Sequence, residues 1–325
     1  MKTSALTLAL FLTASVAPSM VCAQVKWDLP TGYATNTFQT ENVQQFADDV
    51  AKATGGKLKI TVHAGATLYK MPEIKKAVQS GQAQAGEFIL SAYSNENPIF
   101  GVDSVPFLAS SYVAATRLYV AAKPATEKLL DSQGMKLLFS VPWPGQSLYS
   151  IKPITKLADF KGTKMRTYNP STTKIAEMLK AQPVTIQLAE LGKALAGGTV
   201  DNFLTSSASG IDSKLYEQAK YFYIVNAWLP RNATVVNKKA FDALDKATQD
   251  AVVAAGKAAE ERGWAMSRKI DAAYIKDLNK KGMTTGLPTD EVREGMNTIG
   301  DTMVREWMAS AGPEGIAIIE AYKKR

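Results

Sequence analysis

A chain of 325 residues, 46% of them hydrophobic, is long enough for two domains and buries an ample core without cross-links. Its 38 basic and 30 acidic residues leave a formal charge of +8, but no dense basic run is interleaved with aromatics, which argues against a nucleic-acid partner. One cysteine and one histidine exclude a disulfide framework and argue against zinc and Cys–His chemistry.

The chain opens MKTSALTLALFLTASVAPSMVCAQ. Lys2, an apolar run from Ala5 to Val16 and Val21-Cys22-Ala23 read as a secretory signal cut after Ala23. Residues 1–23 are therefore set aside, and Cys22 goes with them. Lipidation at Cys22 is disfavoured by the bulk of Val21. No later run is apolar enough to cross a bilayer, so a soluble, exported, periplasmic protein is expected.

Lys26–Leu29 reads as a first strand, and Gly32–Thr37 as a polar loop with Tyr33 and Asn36. Val43, Phe46, Ala47 and Val50 recur at helical spacing over Glu41–Thr54, and Gly55-Gly56 ends that helix. Leu58, Ile60 and Val62 alternate along a strand that ends in His63, a structural histidine by this reading. Strand, helix, strand is the opening of an α/β domain with a partly parallel sheet. Met71–Ser80 is a helix, with Pro72 near its start and Gly81 at its end. Ala85–Ala92 is an apolar strand carrying Glu87, which is either paired or faces a crevice. Tyr93–Pro98 is the loop at its end, where open α/β sheets place binding residues. Tyr112–Leu130 is helical.

A strand after Met135 runs into Pro142-Trp143-Pro144-Gly145, and Gln146–Ile151 resumes as a strand. The chain can cross between domains here, and Trp143 is either a site wall or an interdomain spacer. Arg166 closes a short segment before Asn169-Pro170-Ser171, a turn that starts a helix. Its guanidinium suits two parallel hydrogen bonds to a carboxylate, although spacing alone leaves open a solvated surface charge. Val184–Leu188 reads as a strand and Glu190–Ala196 as a helix broken by Gly197-Gly198. Val200-Asp201-Asn202-Phe203-Leu204 then leads to the polar run Thr205-Ser206-Ser207. Ala233–Asn237 is a strand returning to the first domain. Lys239–Lys281 is one very long helical pattern, and Asp290–Ala309 and Pro313–Tyr322 are closing helices. Neither a phosphate-cradling glycine loop nor a pair of catalytic carboxylates occurs, so catalysis has little to stand on.

Together, KPITKLADFKGTKMR, ALAGGTVDNF, FADDVAKATGGKLKI and LDKATQDAVVAAGKAAEERG resemble the DctP-type extracytoplasmic solute-binding proteins of tripartite ATP-independent periplasmic (TRAP) transporters, over the whole mature chain. The resemblance implies an α/β, two-domain periplasmic-binding-protein-like fold with hinge strands and a long helix spanning both domains. The approximate division is 24–143 plus 231–270 for domain I and 144–230 plus 271–325 for domain II. It implies Arg166 as the residue that pairs with a ligand carboxylate. Where sialic-acid binders carry a second arginine, this chain has the uncharged Gln146. Where the family often has Gly-x-Glu-Asn, this chain has Asn202-Phe203-Leu204-Thr205, so no metal and no other cofactor are expected. Leu188, Phe203 and Leu204, with Ile89 and Leu90, lead to an apolar wall.

The expectation is a monomeric binding protein, not an enzyme, for a monocarboxylate with an apolar or aromatic body. Arg166 would take the carboxylate, Gln146 and Thr205 nearby oxygens, with Trp143, Phe203, Leu188, Tyr33, Asn36 and Tyr93 completing the site. Its partners would be TRAP membrane subunits. The alternatives are a receptor feeding a sensor, a binder of C4-dicarboxylates or sugar acids, a periplasmic enzyme, and a binding protein of an ATP-driven importer.

Overall fold

The computed structural model describes residues 24–324, so the signal sequence read at 1–23 lies outside the described residues. The first part of the chain forms β1 (Val25–Pro30), α1 (Phe38–Ala53), β2 (Leu58–His63), α2 (Met71–Ser80), β3 (Ala85–Ile89), α3 (Tyr112–Ser132) and β4 (Met135–Pro142). The second forms β5 (Ser147–Ser150), β6 (Lys164–Thr167), α4 (Pro170–Met178), β7 (Gln182–Thr185), α5 (Leu188–Ala196), β8 (Asn202–Thr205), α6 (Ser207–Asp212) and β9 (Tyr221–Tyr223). The chain then returns through β10 (Arg231–Asn237) and α7 (Lys238–Asp242). It closes with α8 (Lys246–Lys280), β11 (Thr284–Gly286) and α9 (Asp290–Lys323).

These strands make two groups. In the first lobe β1 pairs in parallel with β2, and β10 lies antiparallel between β3 and β4. A bridge between Thr31 and Glu87 ties β1 to β3. In the second lobe the order is β11-β9-β5-β8-β6-β7, with β6 parallel to both β7 and β8. Each lobe buries its own apolar side chains. Trp27, Phe46, Phe88 and Phe139 lie in the first, and Tyr149, Phe160, Phe203 and Phe222 in the second. Two stretches run side by side from one lobe to the other: Trp143 N donates to Pro230 O and Gln146 N to Trp228 O, both at 2.8 Å.

α8 has 35 residues, roughly 53 Å at about 1.5 Å per residue. It packs on α1 and β4 in the first lobe and on α6 and β11 in the second. Gly256 and Gly263 allow its close approach: a side chain at 256 would meet the Leu138 carbonyl, and one at 263 would collide with Val141.

Several boundaries differ from the sequence reading, each for a local reason. The long helical pattern divides because the Asp245 side chain accepts from Thr248 N and caps a new helix at Lys246. Ala85–Ala92 is strand only to Ile89, and Leu90–Tyr93 is a 3₁₀ turn. Val184–Leu188 is not a continuous strand: β7 stops at Thr185 and Leu188 opens α5. By contrast, the two closing helices expected from the sequence are present: Gly312, at φ 58°, leaves helical geometry and divides α9 in two.

Candidate functional site

A cavity lies between the lobes, at the carboxyl ends of several strands, where α/β folds place ligands. Gly32 and Tyr33 follow β1, and Ile89 ends β3. Arg166 and Tyr168 come from β6 and the turn after it, and Thr205 ends β8. Trp143, Gln146 and Pro230 come from the crossing stretches. Met71 opens α2, Gln187 to Ala189 open α5, and Ser209 lies on α6.

Arg166 dominates the electrostatics. It is 4% exposed, its Nε donates to Ile186 O at 2.8 Å, and its guanidinium stacks on the Tyr168 ring at 4.6 Å. No ion pair to it occurs among the described residues. Burial draws its pKa down to about 10, against the pull of Tyr168 and Tyr33, so it stays charged at neutral pH. Burial pushes the Tyr33 and Tyr168 phenols up, so both stay neutral. The result is a desolvated cation whose two terminal nitrogens bond to nothing in the described protein, a ready seat for an anion.

The opposite wall is held by a hydrogen-bonded relay. Asn232 Oδ1 accepts from Trp143 Nε1 at 2.9 Å and from Tyr33 OH at 3.2 Å. Asn232 Nδ2 donates to Glu87 Oε1 at 3.0 Å, and Thr31 Oγ1 donates to Glu87 Oε2 at 2.6 Å. Glu87 is thus the paired, structural carboxylate, and burial raises its pKa. Tyr33 and Trp143 sit 5.0 Å apart between ring centroids, and Phe38 meets the edge of Trp143 at 5.2 Å. These contacts make Trp143 a fixed wall of the cavity. Gln146 Oε1 accepts from Tyr168 OH at 3.3 Å, while its Nε2 donates to Pro144 O at 3.1 Å.

Of the residues named from the sequence, Tyr33, Trp143, Gln146, Arg166, Leu188 and Thr205 converge on this cavity. Three do not. Phe203 lies one rung back from Thr205 on β8, stacked on Tyr149 at 4.9 Å inside the second lobe's core. Tyr93 lines a neighbouring cavity, with its hydroxyl on Pro72 O. Asn36 reaches across the cleft, where its Nδ2 donates to Asp212 O at 3.2 Å. Leu204 and Leu90 are core residues, so the apolar wall is built from Leu188, Ile89, Met71 and Trp143 instead. The sequence reading missed Tyr168, although strand alternation puts it on the Arg166 face. It also missed Gln187 and Ser209, which carry no sequence signal. His63 stays on the β1–β2 pair, bonded to Asp28 at 2.7 Å. Among the described residues no three His, Cys, Asp or Glu side chains gather as a metal site, and no helix is long and apolar enough to cross a membrane.

The contact of Asn36 with Asp212 joins the two lobes. Asp212 Oδ2 is buried without a hydrogen-bond partner, and burial, with Glu41 of α1 adding negative charge, pushes its carboxyl up to about 7. An acid raised in the folded state holds a proton the unfolded chain has already lost. Stability therefore falls as pH rises from about 4, the ordinary aspartate value, to about 7. Asp212→Asn should melt higher than the parent at pH 8 and close to it at pH 4. Equal gaps at both pH values would contradict this.

The chain matches the DctP family model, bacterial extracellular solute-binding protein family 7, over residues 31–311. It is 50% identical to DctP6, a Bordetella pertussis extracytoplasmic solute receptor binding pyroglutamic acid, with a TM-score of 0.91 over 93% of this chain and 100% of that one. It is 40% identical to a TRAP solute-binding protein from a marine metagenome, specific for pyroglutamate and solved with co-purified pyroglutamate, with a TM-score of 0.92 over 93% and 100% of the two chains. It is 39% identical to DctP7, a B. pertussis receptor also binding pyroglutamic acid, with a TM-score of 0.91 over 92% and 99%. Proteins of this family are periplasmic receptors that bind small organic acids and work with membrane subunits, rather than enzymes. The chain belongs to the DctP family of TRAP-transporter solute-binding proteins.

Proposed function

We propose that this protein captures pyroglutamate, or a close monocarboxylate relative, between its lobes and hands it to TRAP membrane subunits. The observation that carries this reading is Arg166, a buried, charged guanidinium on the cavity wall with no carboxylate to neutralise it among the described residues. A ligand with one carboxylate supplies the missing charge. A second carboxylate would meet only neutral polar side chains, Tyr33, Gln146, Tyr168, Gln187, Thr205 and Ser209. Pyroglutamate is such a ligand: one carboxylate on a small five-membered lactam. Its ring CH₂ groups suit Leu188, Ile89 and Trp143, and its lactam N–H and C=O suit hydroxyl and amide side chains. Three relatives at 39–50% identity bind it, which supports carrying the ligand across.

In this reading residues 1–23 are removed on export, and the mature protein works as a monomer. Domain I is 24–143 plus 231–270, domain II is 144–230 plus 271–325, and the crossing stretches are the hinge.

Titration of the mature protein with L-pyroglutamate tests the proposal. A ligand specific to the folded state stabilises by about 2.7 kcal/mol at a hundredfold excess over Kd, so the melting temperature should climb steadily with concentration. C4-dicarboxylates and sugar acids should leave it unmoved. A response confined to those acids would overturn the proposal.

A further inference from the structure

A second cavity adjoins the first. The two share Met71, Ile89, Tyr168 and Gln187 as their common wall. Beyond that wall the second cavity is mostly apolar, formed by Pro72, Phe88, Ala92 and Tyr93. Phe88 and Tyr93 meet edge to face at 5.2 Å, so the chamber has a firm aromatic side.

The members of the shared wall are not equivalent. Tyr168 is held by Arg166 and by Gln146. Ile89 is branched and packs into the second lobe's core. Met71 is unbranched, has no hydrogen-bonding group beyond its thioether, and is 8% exposed at the first position of α2. It rests against Gly32, where any side chain would press on the Met71 methyl and force that flexible end to shift. A long, flexible thioether seated on a glycine is a plug that fills whatever space the neighbours leave.

We propose that Met71 is the size selector of this site: it closes an apolar side chamber off from the carboxylate chamber and so restricts the protein to compact acids. The inference rests on Arg166 as the carboxylate anchor. Shortening Met71 joins the chambers and admits monocarboxylates with an unbranched apolar tail.

The test is calorimetric titration of butanoate, hexanoate, octanoate and pyroglutamate into the parent, Met71→Ala and Met71→Ala/Ala92→Phe proteins, each first shown to melt cooperatively. In the parent, affinity should not rise with chain length. In Met71→Ala it should rise by about fourfold per methylene buried, so octanoate gains more than tenfold over the parent. Ala92→Phe refills the side chamber and should remove that gain. Adding Arg166→Met to Met71→Ala should abolish octanoate binding. Should Met71→Ala fail to fold, Met71→Val keeps a branched apolar stub and reads the same quantity. Octanoate binding no tighter to the folded Met71 variant than to the parent overturns the inference. A gain for octanoate in a protein indifferent to pyroglutamate keeps the selector and overturns the ligand assignment instead.

Discussion

Arg166→Met is expected to weaken pyroglutamate binding by about 150- to 5,000-fold while leaving the ligand-free protein at least as stable as the parent. The two halves of this expectation have one cause. Arg166 is a buried cation with no counter-ion among the described residues, so in the ligand-free state its charge is desolvated and uncompensated. The ligand carboxylate repays it. Removing the guanidinium leaves the bound carboxylate buried and unpaired, a loss of about 3–5 kcal/mol. Methionine keeps most of the side chain's volume beside Tyr168, so the lost bond to Ile186 O is offset by relief of the buried charge. Arg166→Lys should fall between, because an ammonium keeps the charge but loses the fork that grips two oxygens. Calorimetric titration with melting curves reads both quantities. A variant that lost stability and kept its affinity would make Arg166 a structural residue.

The largest effect on stability is expected at Asp103. Asp103→Ala should lower the unfolding free energy by about 3–5 kcal/mol in urea denaturation, because it strands a buried arginine. Arg231 is 3% exposed and Asp103 5% exposed. The Arg231 Nε and backbone N donate to one Asp103 oxygen at 3.1 and 3.0 Å, and Ser104 Oγ donates to the other at 3.1 Å. The guanidinium also stacks on Tyr119 at 4.5 Å. This pair sits where the chain re-enters the first lobe at the start of β10, next to the crossing at Pro230. Asp103→Ala/Arg231→Met should recover much of the loss, since the double variant buries no charge. Equal stability of the single variant and the parent would show that water reaches Arg231.

How much of this was legible before the fold was known differs from element to element. The opening strand, helix and strand were readable because each carries its own periodicity. The break between α7 and α8 was written in Asp245 and Thr248, but the apolar spacing on either side hides a cap. Phe203 and Thr205 show the limit of alternation. They share a face of β8, yet one packs on Tyr149 in the core and the other reaches the cavity. Position along the strand, not its face, decides which of the two meets a ligand.

By itself the sequence determined the α/β, two-lobed architecture and the family, because periodicity, caps and linked motifs are local properties of the chain. It also pointed to Arg166, but only through the family resemblance, since spacing alone leaves a solvated surface charge open. Only the tertiary structure decided what surrounds it. That Arg166 has no counter-ion among the described residues, that Asn232 braces Trp143 and Tyr33 from nearly 90 residues away or more, and that Met71 rests on Gly32 are facts about pairs of distant segments. Burial and the partners of a buried charge are set by what other parts of the chain bring to the same place, and no stretch of sequence carries that information alone.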